Sequence, residues 1–223
     1  MFLGGDGGIS GMGMRAQGRS AEETNLRRIE APEGMKDIKK ITHGKFFRLV
    51  LTEQNKLYHM GEARRYMLGS GFNRDTNATK FAEVENNFLR LADGDKIVDI
   101  GGGKCHLAVA TSQGKIYGSG YTFYRHFSSC RHNEENNEDY PFELKLPEGH
   151  KAVNIWTAEK RYTLWVTATN EDGEHVTFGC GEENRGTGQD NTNKFEKLAL
   201  PAGTYLTKIS DHKDRVHGVD NQH

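Results

Sequence analysis

A unit of fewer than sixty residues recurs along this chain and limits its possible folds more than any other feature. One recurring position is an isoleucine, found at intervals of 59, 55 and 54 residues, at Ile41, Ile100, Ile155 and Ile209. Internal repeats of such length predict a propeller, a solenoid or a similar array, in which each unit buries its apolar surface against its neighbours. The sequence therefore predicts one continuous array in place of separate globular domains.

Each unit contains two short apolar runs on either side of a polar turn. The first runs are Leu49–Leu51, Leu107–Val109, Leu164–Val166 and Val216–Val219. The turns are Gln54-Asn55-Lys56, Gln113-Gly114-Lys115 and Asp172-Gly173-Glu174. This arrangement is typical of a β-hairpin.

A second marker precedes the next isoleucine and predicts a loop between units. It occurs at Pro32-Glu33-Gly34, Ala92-Asp93-Gly94, Pro147-Glu148-Gly149 and Pro201-Ala202-Gly203. Proline restricts φ and glycine permits positive φ, so both residues favour a reversal of the chain here.

These markers divide the single array at residues 1–223 into units. We expect a half unit at 1–34, three whole units at 35–94, 95–149 and 150–203, and a half unit at 204–223. Phe2-Leu3-Gly4 is matched to the second hairpin strand and its glycine, so the chain is expected to begin just after a hairpin turn.

The pattern resembles the regulator-of-chromosome-condensation repeat. In that family an isoleucine is followed at fixed spacing by a glycine, a histidine and a strand that ends in glycine. Ile100, Gly103, His106 and Gly120 match in one copy, and Ile41, Gly44, Gly61 and Leu68-Gly69 match in another. Two copies depart from the family, because Phe47 and Arg161 stand near the histidine position and Ala158 replaces the glycine.

The resemblance covers nearly the whole chain and implies an all-β fold, a β-propeller of four-stranded antiparallel blades. The family has seven blades as a rule, whereas this sequence supplies about four units. Two arrangements stay open. The chain is either a partial propeller within something larger, which we favour, or a small closed ring in which Leu206–Val219 pairs with Phe2–Gly4.

Composition excludes several function classes. The formal net charge of −1 creates no general attraction to nucleic acid or to an anionic membrane. No apolar run approaches the roughly 20 residues that cross a bilayer, and no secretory signal follows Met1. Three cysteines without a CxxC pair predict reduced thiols in an intracellular compartment such as the cytoplasm, cytoskeleton or nucleus.

No cofactor or metal is expected. The densest group of potential ligands is His126, Cys130 and His132, which lie beside several acidic residues. Zinc needs such ligands to be oriented by further partners, and the sequence shows none. A polar loop that happens to contain these residues is the simpler interpretation.

The segment at 121–140 is our first choice for partner binding. It replaces the expected Gly-x-Leu-Gly stretch with aromatic and basic side chains of the types that dominate protein interfaces. The candidate residues are Tyr121, Phe123, Tyr124, Arg125, Phe127 and Arg131. The alternative is that these rings pack into the blade where the usual leucine is missing.

No nucleophile and base are brought together by the sequence, so we expect no enzyme activity and no catalytic residue. The first hypothesis is a non-enzymatic scaffold that binds protein partners in a larger complex, without membrane insertion or direct nucleic-acid contact. The resemblance also implies a second hypothesis, since the family's founding member is a guanine-nucleotide exchange factor for the small GTPase Ran. A third is the regulatory propeller of a larger kinase or ubiquitin ligase.

Overall fold

The computed structural model describes residues 2–3, 9–11, 27–44, 47–63, 76–84, 89–103, 106–120, 141–158, 163–182, 191–212 and 215–222. The regular elements in these segments are β-strands, arranged in five antiparallel sheets. In the same segments no helix is long and apolar enough to cross a membrane.

The first sheet has three strands: β1 (Phe2–Leu3), β2 (Ile9–Gly11) and β3 (Arg27–Ile29). The expected position of Phe2-Leu3 is wrong. β1 pairs with β2, which in turn pairs with β3, so β2 occupies the third-strand position and β1 the second. Glycine follows both Phe2-Leu3 and Ile9-Ser10, and the strand pairing shows that the second of these is the third strand.

Three four-stranded sheets follow, and we call them the first, second and third blades. The first contains β4 (Ile38–His43), β5 (Phe47–Thr52), β6 (Leu57–Ala63) and β7 (Thr76–Val84). The second contains β8 (Ile97–Gly102), β9 (His106–Thr111), β10 (Ile116–Gly120) and β11 (Phe142–Leu144). The third contains β12 (Lys151–Thr157), β13 (Thr163–Thr169), β14 (His175–Glu182) and β15 (Asn191–Lys197).

The last sheet is a hairpin of β16 (Leu206–His212) and β17 (Arg215–Asp220). Within the described segments β17 pairs with β16 alone, and β1 pairs with β2 alone. The small closed ring is therefore not formed. The predicted hairpins and the all-β fold are confirmed, and the architecture is that of a partial propeller.

The core is divided into thin layers between successive sheets. Alternate side chains of each second strand point to opposite neighbours, as a pleated strand requires. In β5, Leu49 and Leu51 pack with Ile100 of the second blade, whereas Val50 packs on the other side with Ile29. The second and third blades repeat this arrangement, and β13 packs through Trp165 against the final hairpin. Each blade thus depends on its neighbours for burial.

The first strand of each blade and of the final hairpin, which we call the inner strand, is interrupted by a β-bulge at the same position. The register shifts lie at Ile38/Lys40, Ile97/Asp99, Ala152/Asn154 and Leu206/Lys208. A bulge turns the following side chain to a new direction. The residue after the bulge faces the next sheet, because it lies opposite a second-strand residue that does so.

The recurring glycine has a steric cause. A Cβ atom on Gly103 would lie 1.9 Å from the ring of His106, and one on Gly44 would lie 2.0 Å from the ring of Phe47. In the third blade the residue in this position is Thr163 and not Arg161, because the amide of Ala158 donates to the Thr163 carbonyl across a longer turn. The smaller threonine leaves room for the alanine methyl group.

One buried carboxylate connects three blades. Lys40 of β4 forms an ion pair with Asp99 of β8, and the other Asp99 oxygen accepts a hydrogen bond from the Ile155 amide of β12 at 2.8 Å. The Lys40 amine also donates to the Ile155 carbonyl at 3.3 Å. Buried charge is tolerated only when it is paired and hydrogen-bonded in this way.

We expect Asp99→Ala to lower the free energy of unfolding by about 3 kcal/mol, because the half-buried Lys40 amine and the buried Ile155 amide would lose their acceptor. Urea denaturation followed by circular dichroism measures this loss. Asp172→Ala, in an exposed turn, is the matched control and should change stability by less than about 0.5 kcal/mol. Equal stabilities of the two variants would show that Asp99 does not hold the blades together.

His59 of β6 is fully buried, and burial lowers its pKa to about 4. The folded chain therefore keeps His59 neutral where the unfolded chain would protonate it. Protonation of the unfolded chain therefore lowers the free energy of unfolding as the pH falls from 6.5 toward 4, by up to about 3 kcal/mol. Above pH 6.5 this loss is absent.

Denaturation midpoints at pH 7.5 and 4.5 should differ less in His59→Leu than in the unmodified chain, since leucine cannot be protonated. His217→Gln, at an exposed position, should retain the full pH dependence. Identical pH profiles in all three proteins would contradict this role for His59.

Candidate interaction surface

The topology separates the array into two faces. The turns between second and third strands and the loops that enter each blade lie together, and we call this side the turn face. The turns between first and second strands lie at the other ends of the strands. β10 ends at Gly120, opposite His106, so Gly120 lies on that second side.

The sequence-predicted binding residues follow Gly120 in the chain. Tyr121, Phe123, Tyr124, Arg125, Phe127 and Arg131 are outside the described residues, as are His126, Cys130 and His132. Their role stays a prediction. The described residues point to the turn face as a second candidate surface.

Loops on the turn face are tied to the turn of their own blade by a recurring hydrogen bond. The amide of Glu53 donates to the Asp37 carbonyl at 2.8 Å, and that of Ser112 to the Lys96 carbonyl at 2.8 Å. Asn221 does the same with Tyr205 at 3.1 Å. The three bonds occupy equivalent positions and hold each loop in one conformation.

Asp95 strengthens this connection in the second blade. Its Oδ1 atom accepts from the Ser112 hydroxyl at 2.8 Å and from the amides of Lys96 at 3.0 Å and Gln113 at 3.1 Å. Burial by itself raises the pKa of Asp95, but the hydrogen bonds outweigh it and the pKa is lowered. The carboxylate is therefore held in its charged form.

Asn221 has the corresponding role in the final hairpin. Its side-chain oxygen accepts from the Tyr205 amide at 3.0 Å, and its side-chain nitrogen donates to the Gly203 carbonyl at 3.3 Å. Asn170 closes the turn of the third blade in a similar way, because its oxygen accepts from the Glu174 amide at 2.8 Å. Such side-chain-to-backbone bonds stabilise turns.

Neighbouring blades are joined on this face as well. The first residues of β8 and β16 and the second residue of β12 donate their amides to the preceding blade. Ile97 bonds to the Asn55 side chain at 2.8 Å, Ala152 to the Gly114 carbonyl at 2.9 Å and Leu206 to the Thr177 hydroxyl at 2.9 Å. The face is thus continuous across the array.

Two equivalent grooves open on the turn face. Each is bounded by a hairpin turn, the end of the fourth strand and the loop to the next blade. The larger, of about 740 Å³, lies between the second and third blades and includes Leu146, Pro147 and Lys151. The smaller, of about 350 Å³, lies beyond the third blade and includes Leu200 and Tyr205.

Aromatic contacts and mixed charge line these grooves. His150 packs edge-on against Phe178 at 5.0 Å, and His175 stacks on Tyr205 at 4.4 Å. Lys115 pairs with Glu143 at 3.3 Å, and a hydrogen bond from this pair raises the pKa of Lys115. Apolar floors with polar rims are typical of protein-binding surfaces.

Among the described residues no group of three or more histidine, cysteine or acidic side chains could hold a metal ion. The arrangement offers rigid loops, shallow grooves and paired charges.

The sequence signals for this face were present but incomplete. The loop and turn markers predicted where the loops lie, and positive φ values at Gly34, Gly94, Gly149 and Gly203 confirm the reason for glycine. The contacts of Asp95 and Asn221 were not predicted, since an aspartate or asparagine in a loop is common whether or not it bonds to a distant turn.

Comparisons with known proteins agree with the fold. No protein-family profile matches the sequence, and no curated protein matches it. Human WBSCR16 aligns with a TM-score of 0.63 and 14% identity, over 91% of this chain and 49% of that chain. Prp20p from Saccharomyces cerevisiae, whose structure was described with its binding properties to Gsp1p and histones, aligns at 0.59 and 20% identity, over 90% and 48%.

Yeast RCC1 (Prp20) bound to Kap60 aligns with a TM-score of 0.52 and 14% identity, over 90% of this chain and 57% of that chain. The expected likeness to regulator-of-chromosome-condensation propellers is thus confirmed at the level of the fold. The chain spans about half the length of the first two structures that it matches.

We expect Asp95→Ala to lower the free energy of unfolding by about 2 kcal/mol, because three donors lose a charged acceptor. Hydrogen exchange at the amides of Lys96 and Gln113 should become faster in the same variant. Asp93→Ala changes an exposed carboxylate in the same loop and should leave both measurements unchanged.

Acid titration gives an independent check. The pKa of Asp95 is lowered in the folded chain. Its contribution to the free energy of unfolding is therefore present above the ordinary pKa of an aspartate and is lost as the pH falls through the pKa of the folded chain.

Unchanged hydrogen-exchange rates in Asp95→Ala would show that this carboxylate does not hold the loop.

Proposed function

We propose that this chain, which has the fold of the regulator-of-chromosome-condensation propellers, is a non-enzymatic protein-interaction module that acts within a larger assembly. The observation that carries the proposal is the repeated turn face, whose loops are held by equivalent hydrogen bonds and whose grooves recur between sheets. Surfaces already ordered before binding lose little conformational freedom when a partner binds.

The larger groove is the proposed contact on this face. Its lining includes the half-buried Leu146 and Pro147 and the exposed, charged Lys145, Glu148 and Lys151. A partner would bury the apolar residues and match the charges. The segment at 121–140 stays a proposed second contact.

Guanine-nucleotide exchange on a small GTPase is the second candidate function. The observation that favours it is the fold shared with Prp20p, which was described together with its binding to Gsp1p and histones. An exchange factor must bind the nucleotide-free GTPase more tightly than the loaded form, since only a difference in affinity can drive release.

Charge reversal at the groove tests the main proposal. In Lys145→Glu combined with Lys151→Glu, co-purification of a stoichiometric partner from the native cell type should fall about tenfold, because like charges would meet at the rim. Lys39→Glu combined with Lys80→Glu makes the same charge change at exposed sites outside the grooves and should retain the partner. Thermal melts should match in all proteins.

Other outcomes are informative. If Phe123→Ala with Tyr124→Ala removes the partner and the groove variant does not, the contact lies on the segment at 121–140 and the turn face is wrong. If substoichiometric chain accelerates nucleotide release from a Ran-type GTPase, the module is an exchange factor.

A further inference from the structure

One face of the final hairpin packs on the third blade, and the other, which we call its forward face, is open. Lys208, Ser210 and His217 are exposed there, and Val219 is 44% exposed. Among the described residues no sheet packs on this side, whereas the other side, with Leu206, Ile209 and Val216, packs on the third blade. In each of the three blades the corresponding face is covered by the next sheet.

Strand register relates this open face to a covered one. Lys208 lies opposite Val219 just as Lys40 lies opposite Leu51. Ser210 lies opposite His217 just as Thr42 lies opposite Leu49. Both hairpins have their bulge immediately before the lysine, so the two sets of four side chains are presented in the same geometry.

The covered face of the first blade shows how these side chains are used. Lys40 pairs with Asp99, Leu49 and Leu51 pack with Ile100, and the Thr42 hydroxyl accepts from the Gly102 amide at 3.0 Å. The second glycine of this strand is required by close approach, because a Cβ on Gly102 would lie 2.9 Å from the His43 carbonyl carbon. Each contact is made to the sequence Asp99-Ile100-Gly101-Gly102.

The open face carries the same chemistry at three of these four positions, and at the fourth it has His217 where the first blade has Leu49. It again has a lysine, a hydroxyl and an aliphatic side chain, at Lys208, Ser210 and Val219. The second and third blades do not share this set. At the three corresponding positions they have Asp99, Gly101 and Ala110, and Asn154, Trp156 and Thr167.

We propose that the open face of β16–β17 is a docking surface for a β-strand from outside these 223 residues, with the sequence pattern acid–aliphatic–Gly–Gly. Its carboxylate pairs with the Lys208 amine, and its aliphatic side chain packs on Val219 beside His217. The Ser210 hydroxyl accepts a backbone hydrogen bond from its second glycine. Asp-Ile-Gly-Gly occurs once in this chain, at residues 99–102, where it is already buried between blades.

A trans-binding experiment tests this surface. The probe is a backbone-cyclised peptide with the sequence of residues 96–111 and serine in place of Cys105, added to the ¹⁵N-labelled full chain. We expect saturable shifts of the amides in β16 and β17. Lys208→Glu should weaken binding about tenfold, as should a peptide in which the aspartate is replaced by lysine.

Combining Lys208→Glu with the lysine peptide should restore binding, because the reversed charges are again opposite. Lys39→Glu, an exposed lysine on the inner strand of the first blade, is the matched control and should bind like the unmodified chain. Absence of saturable shifts, or loss of binding that the charge swap does not restore, would overturn the proposal.

Light scattering tests whether a second copy of this chain covers the open face instead. A mass twice the 25.1 kDa of one chain, with protected β17 amides, would mean that a second copy covers this face and would also overturn the proposal. The docking surface is separate from the groove, so its failure leaves the turn-face proposal intact and the reverse also holds.

Discussion

A single carboxylate, that of Asp99, connects the inner strands of three successive blades. It accepts from Lys40 on one side and from the Ile155 amide on the other, and it lies where the apolar layers are thin. Removing a charge from water is costly unless partners replace the water. The aspartate therefore favours one spacing between these three strands, at which its partners can reach it.

That spacing has consequences on the surface. Because successive blades repeat at a regular interval, their turns and loops form a continuous face, and the same cross-blade bond recurs at Ile97, Ala152 and Leu206. The grooves lie between these connections. Function in such an array depends on the surfaces that the regular core holds in place. One of these is the forward face of the final hairpin, whose lysine, hydroxyl and aliphatic side chain correspond to those with which the first blade contacts the second.

Local signals predicted much of this fold. Alternating apolar runs around Gln113-Gly114-Lys115 predicted a hairpin, because a two-residue period and a turn are local properties. They failed where glycine follows two successive short apolar runs, as at Phe2–Leu3 and Ile9–Gly11, and where a turn was longer, as before Thr163. The site was less predictable. Asp95 holds a loop through residues distant in sequence, and nothing in its neighbours indicates that contact.

The sequence by itself determined the repeat, the hairpins and the loop positions, because each follows from short-range sterics and apolar periodicity. Only the tertiary structure decided that Lys40 and Asp99 meet, that the sheets do not close into a ring, and that Lys208 and Val219 share an open face. Those facts depend on packing between strands far apart in the chain, and such packing cannot be deduced from a short stretch of sequence.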